Sequence, residues 1–187
     1  MQDLLPLAAR VAERLRARGE SVAVAESSTG GLISAALVAI PGASDFYIGG
    51  AVIYTRKSSR GLMQVPDEAF ANGLRASTEP YALLMAQTAR ERMRATWGIA
   101  ETGASGPTGN PYGDAAGHSC VAIAGPAEKS LTIETGHGDR SANMRVFSAR
   151  ALELLLEKAQ QTVRATILTP QSELGRQMVR DIAYYLN

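Results

Sequence analysis

Ser27, Ser28 and Thr29 stand in a row between a carboxylate, Glu26, and a glycine pair, Gly30-Gly31. A short β-type segment, Val22 to Ala25, precedes them, and an alanine-rich helical segment follows from Leu32. A strand that stops where a helix starts is where α/β folds place anion sites and nucleophiles, because hydroxyls and free backbone N–H groups converge there. A second cluster, Thr102-Gly103-Ala104-Ser105-Gly106-Pro107-Thr108-Gly109, again follows a short apolar run and Glu101. Two such loops predict one pocket lined from both sides. The first loop also reads, more plainly, as a serine-capped helix start after a strand.

A serine hydroxyl attacks at neutral pH only with a base beside it. The chain has two histidines. His118 leads into a strand, and His137 lies in Gly136-His137-Gly138-Asp139-Arg140. Neither sits in a serine-hydrolase pattern, and there is no Gly-x-Ser-x-Gly elbow. A Ser–Lys arrangement is the chemically open option. Tyr54, Arg56, Lys57 and Arg60 cluster behind a second strand. Taken singly, these cations are a solvated helix start; together they suit a phosphate-bearing ligand. Asp139 can cap the helix that follows it, and Arg140 reads either as a phosphate ligand or as the partner of a surface acid. No pair of histidines, cysteines or acids has metal-ligand spacing, so neither a metal nor another cofactor is expected.

The elements that must hold these residues follow from periodicity. Leu4, Leu7, Ala8, Val11 and Leu15 recur at helical spacing up to Gly19. Leu32 to Ile40 reads as a helix ended by Pro41-Gly42, and Tyr47 to Tyr54 as a strand containing Gly49-Gly50. Ser77 or Thr78 caps a long helix that ends at Gly98; Ile99 to Glu101 is then a strand. His118–Ala124 and Lys129–Glu134 pair across Gly125-Pro126, and a long helix starts near Ser141. Strands alternate with helices, which predicts an α/β class with helices on both faces of a sheet, and the late strand pair makes the sheet mixed. From Thr169-Pro170 onward, Leu174, Met178, Ile182 and Tyr185 share one helical face. We therefore expect a main domain over 1–165 and an additional C-terminal helix over 166–187, docked on its own domain or on a second copy in a homo-oligomer.

With 187 residues, 45% hydrophobic and 20% charged, the chain fits one soluble domain. A net charge of +1 argues against a nucleic-acid binder. No run approaches a membrane span, and Asp3, Arg10, Glu13 and Arg14 interrupt any signal-peptide core, which points to the cytoplasm and to no membrane partner. The single cysteine, Cys120, sits in an apolar run and reads as a core residue.

Five motifs in order then resemble the CinA C-terminal domain family, which includes nicotinamide mononucleotide amidohydrolases. They are Glu26-Ser27-Ser28-Thr29-Gly30-Gly31, Pro41-Gly42-Ala43-Ser44, Val52-Ile53-Tyr54, Thr102-Gly103-Ala104-Ser105-Gly106-Pro107 and Gly138-Asp139-Arg140. The resemblance covers roughly Leu4 to Gln160. It implies a three-layer α/β/α fold with a mixed sheet and a metal-independent serine amidohydrolase mechanism. Carried over, Ser27 is the nucleophile, Tyr54 a proton-relay or positioning hydroxyl, and Thr102 an orienting group. Thr29 and Arg140 would contact the ligand, and N–H groups near Gly30, Gly31 and Gly106 would stabilise an oxyanion or phosphate. The family's lysine lies five residues after the tyrosine, where this chain has Ser59; Lys57 is two residues earlier and Arg60 one later. Two residues on a helix is about 200° of rotation.

Two functions are therefore expected in competition. One is hydrolysis of a nucleotide carboxamide by Ser27, with Lys57 or another amine as base and release of ammonia. The other is a nucleotide- or phosphate-binding protein of the same fold without the chemistry.

Overall fold

A computed structural model describes residues 1–168, with side chains through Gln160. The expected tail helix from Pro170 to Asn187 lies outside the described residues.

Helix α1 (Leu5–Arg18) forms where Leu4, Ala8, Val11, Ala12 and Leu15 make one buried stripe, with proline in its first turn. It ends at Gly19 in the left-handed conformation, φ 61°. Strand β1 (Val22–Glu26) is buried throughout and is followed by α2 (Leu32–Val38), β2 (Tyr47–Val52) and α3 (Arg56–Met63). Then come α4 (Glu79–Met93), β3 (Trp97–Ala104), β4 (His118–Ala124), β5 (Lys129–Glu134) and α5 (Arg140–Leu168). The five strands form one sheet in the order β2-β1-β3-β4-β5. Strand β1 runs parallel to β2 and β3, whereas β3-β4-β5 is antiparallel, so the sheet is mixed.

Alternation along the strands divides the interior into two cores. On one face Val22, Val24, Trp97, Ile99, Val121 and Ile123 pack with Leu15, Leu37, Leu152 and Leu155 of α1, α2 and α5. On the other, Ala23, Ala25, Ala100, Cys120, Ala122 and Ala124 pack with Ala82, Met85, Ala86 and Ala89 of α4. That second face is built almost wholly of small residues because α4 lies close against the sheet. At Gly98 a β-carbon would stand 1.9 Å from the Ala86 carbonyl oxygen. The architecture is α/β/α in three layers, as the resemblance implied. Cys120 is a core residue whose thiol is pushed up by burial.

Several boundaries differ from the sequence reading. Gly98 does not end α4: that helix stops at Met93, with Arg94 taking the left-handed cap at φ 52°. Strand β3 runs to Ala104, so Thr102 and Gly103 are strand residues rather than loop. Strand β2 stops at Val52, which leaves Tyr54 in the connection to α3. Helix α2 ends at Val38, two residues before Ile40. The cap of α4 agrees with the sequence reading: of the two residues the sequence offered, Thr78 is the one, accepting from the Tyr81 N–H at 3.4 Å.

Candidate functional site

Two buried carboxylates shape the loop after β1. Glu26, at the end of that strand, accepts from the N–H groups of Gly31 (3.0 Å), Ile33 (3.0 Å) and Ser34 (2.8 Å), and from the Ser34 hydroxyl at 2.6 Å. Helix α2 is thus capped by the strand before it; its N-cap residue, Gly31, supplies no side chain. The serine-capped start anticipated from the sequence does not form. The N-terminus of α2 is already occupied by an anion, so Gly31 has no N–H to offer a ligand.

Glu101, from β3, holds the other side of the loop. It accepts from the N–H groups of Ser27 (3.2 Å) and Thr29 (3.0 Å), from Ser119 Oγ (2.7 Å), and from the Ser28 hydroxyl. Thr29 Oγ1 lies between the two acids, 2.8 Å from Glu26 and 3.1 Å from Glu101. Thr29 is fully buried, and both its hydroxyl and its N–H are engaged, so it supports the loop rather than contacting a ligand. The Gly30 N–H is turned back to the Ser27 carbonyl at 3.2 Å.

What this clamp leaves free is Ser27. Its residue is half-buried, and its hydroxyl bonds to no group among the described residues. The Ser28 N–H likewise has no acceptor among them. Ser27 lines a cavity of about 390 Å³, within the usual size of small-ligand sites. Thr102 lines the same cavity, so the two hydroxyl-and-glycine clusters do meet at one place. Thr102 Oγ1 accepts from the Ser77 N–H at 3.1 Å, which leaves its own hydrogen for a ligand.

Tyr54 also lines the cavity and is 61% exposed. Arg140 Nη2 donates to its hydroxyl at 3.0 Å while Nη1 donates to the Gly106 carbonyl at 2.6 Å. Arg140 is not among the lining residues; it fixes Tyr54 from behind. Gly106 is not on the cavity either. It packs on Gly138, whose carbonyl oxygen would lie 2.5 Å from a β-carbon there. Lys57, the candidate base, is exposed in the first turn of α3 and lies off the cavity. Ser59 is buried, with its hydroxyl 4.0 Å from Met85 Sδ.

The cavity also takes residues that sequence reasoning passed over: Arg75, Ser77, Tyr81, Asn110 and Tyr112. Arg75 forks onto Asp114, Nη1 to Oδ2 at 2.6 Å and Nη2 to Oδ1 at 3.0 Å, and lies over the Tyr112 ring at 5.3 Å. That guanidinium, opposed by burial and helped by Asn110, holds the Asp114 carboxyl below the usual carboxylate value. The available sequence signal was Asn110, a turn former spaced to cap Asp114. Its side-chain oxygen accepts from the N–H groups of Tyr112 (3.0 Å) and Asp114 (3.1 Å).

Behind Ser77, His118 Nε2 meets the Ser77 carbonyl at 3.0 Å and Nδ1 meets Glu134 Oε1 at 2.5 Å. Burial pushes the imidazole down, but the Glu134 carboxylate and the Ser77 carbonyl outweigh it, so it titrates above its ordinary 6.5. A raised histidine stabilises the fold fully below the unfolded value, and that contribution is lost as pH rises through the folded value. Glu134 is 59% exposed, so the effect is about 0.5–1 kcal/mol. Stability followed by urea midpoint is expected to fall by that much as pH is raised from about 6.5 through the folded value, and Glu134→Gln to flatten the profile. An equally steep profile in Glu134→Gln would refute the assignment.

Among the described residues no group of three or more histidines, cysteines or acids could hold a metal ion. No described helix is long and apolar enough to cross a membrane.

Comparison with known proteins agrees with this geometry. Residues 4–159 match the model of the CinA C-terminal domain. A CinA-like protein of Anaeromyxobacter sp. (strain Fw109-5) is 40% identical over 150 residues, 80% of this chain and 36% of that protein. A CinA-like protein of Synechococcus sp. (strain RCC307) is 39% identical over 134 residues, 72% of this chain and 32% of that protein. The chain thus spans about a third of the length of the curated relatives it matches. A CinA superfamily protein from Klebsiella pneumoniae 700603 superposes with a TM-score of 0.78 at 30% identity, covering 83% of this chain and 97% of that one. The competence/damage inducible protein CihA from Agrobacterium tumefaciens does so at 0.75 and 32% identity, covering 83% and 94%. With the family match running through both clusters that form the cavity, this chain belongs to the CinA C-terminal domain family.

Proposed function

We propose that the cavity takes a nucleotide carboxamide of the nicotinamide mononucleotide class and that Ser27 attacks its carboxamide carbon, releasing ammonia. The observation that carries this reading is the free Ser27 hydroxyl, the one loop hydroxyl that Glu26 and Glu101 leave unengaged, facing a cavity it shares with Thr102. The Ser28 N–H, next in the chain, is the natural donor to the oxygen that gains charge in the tetrahedral intermediate. Tyr54 completes the proton path. Its oxygen already accepts from Arg140, so its own hydrogen is directed elsewhere. That oxygen takes the Ser27 proton, the tyrosine hydrogen passes to the departing nitrogen, and the C–N bond breaks to leave an ester on Ser27. Water then attacks the ester, giving the carboxylic acid and restoring the serine. The same reading goes with a cytoplasmic protein whose partner is the nucleotide, and whose C-terminal segment docks on its own domain or on a second copy.

Binding without hydrolysis is the second reading, and two positions favour it: Ser59 is a buried hydroxyl where the family has its lysine, and Lys57 lies off the cavity. Ammonia release from nicotinamide mononucleotide, measured beside a calorimetric titration, separates the two. Ser27→Ala is expected to reduce release by at least about a hundredfold while binding persists. Lys57→Ala should leave release within about twofold; a collapse there would make Lys57 the base. Binding with no ammonia from the wild type would establish the second reading.

A further inference from the structure

Among the described residues, Arg56 and Arg75 are the only charged ones that line the cavity, and no described carboxylate lines it with them. Their situations differ. Arg75 is ion-paired: Asp114 takes a hydrogen from each of its Nη atoms, and Nη1 also donates to the Ala76 carbonyl at 3.2 Å. Arg56 is not. It lies over the Phe70 ring, its guanidinium carbon 4.3 Å from the centroid, and makes no hydrogen bond or ion pair to any described residue. The nearby acid, Asp67, is already paired with Arg60 at 2.5 Å. The cation–π contact with Phe70 restrains the guanidinium while no described acceptor takes its N–H donors. A rigid fork of donors with no protein acceptor, on a cavity without acids, matches the oxygens of a doubly charged phosphate.

We propose that Arg56 is the phosphate-recognition residue of this cavity, seated on Phe70, with Arg75 and Asp114 bracing the wall beside it. The ligand class is then a phosphomonoester of a nucleoside, not the bare nucleoside, and a single phosphate is read by one guanidinium rather than by a helix N-terminus. The proposal rests on the nucleotide reading of the cavity for the identity of the ligand, but not for the anion site itself.

The test is calorimetric titration of the full chain with nicotinamide mononucleotide, with nicotinamide riboside and with inorganic phosphate, on the wild type, Arg56→Gln and Phe70→Leu. We expect the mononucleotide to bind about tenfold or more tighter than the riboside, the size of one bidentate charged contact. Arg56→Gln should erase that difference while leaving riboside binding unchanged, and Phe70→Leu should erase part of it. Equal weakening of both ligands by Arg56→Gln, or no weakening of either, overturns the proposal. If neither nucleoside form binds the wild type, the nucleotide reading fails alone. Inorganic phosphate then decides: binding lost in Arg56→Gln keeps the anion site, and no binding, or binding unaffected by that change, overturns it.

Discussion

Glu101→Ala is expected to lower the stability of the domain by about 3–5 kcal/mol and to abolish whatever activity depends on Ser27. Glu101 is 2% exposed and collects hydrogens from Ser27, Ser28, Thr29 and Ser119. Truncation strands those donors inside the protein, each at a cost of about 1–3 kcal/mol unless water enters. Glu101→Gln keeps the volume and one acceptor oxygen but turns an amide toward hydroxyls and N–H groups, so an intermediate loss is expected. Urea unfolding of the three proteins checks the order. A loss under about 1 kcal/mol in Glu101→Ala would mean that the loop keeps its shape without the carboxylate.

Gly98→Ala should be the most damaging single methyl group that can be added to the second core. The new β-carbon would lie 1.9 Å from the Ala86 carbonyl oxygen and 2.9 Å from Arg90 Cβ, so α4 must move off the sheet. Overpacking of this kind costs about 3 kcal/mol. The shift would also reach Ser77 and Tyr81, at the cavity end of that helix. Gly61→Ala is the matched control: Gly61 lies in α3 with nothing within 4 Å of an added β-carbon. It should gain up to about 1 kcal/mol from helix propensity. Comparable thermal midpoints for the two variants would contradict the close approach of α4.

Gly98 also shows where the sequence ceases to be readable. A glycine after a helical stretch has the same local signature whether it ends the helix or admits a neighbouring backbone, and only the packing of α4 on β3 distinguishes them. The alternation of strands and helices, the β4–β5 pairing and the meeting of Ser27 with Thr102 were legible because each depends on local period or on chain order. The role of Glu26 was not. Nothing local marks what a carboxylate ahead of a serine loop is for; its five contacts to Thr29, Gly31, Ile33 and Ser34 make it the cap of α2. Arg75 was invisible for another reason. Its partner, Asp114, is 39 residues away, and no short-range pattern links them. Arg140 was visible as a cation near the site, but its use, bridging Gly106 and Tyr54, depends on how far α5 and the β2–α3 connection approach each other.

The capping of α2 by Glu26 has a consequence for the field inside the cavity. In many α/β proteins the positive end of a helix sets the potential where an anion sits, and that contribution is written into the backbone. Here a fixed negative charge terminates the dipole within one turn. The potential felt by a ligand is therefore a property of side chains that reach the cavity, Arg56 foremost, and is screened by salt like any exposed charge. A binding site of this construction can change the charge it prefers by replacing one residue, with the strand, the loop and the helix behind it left as they are.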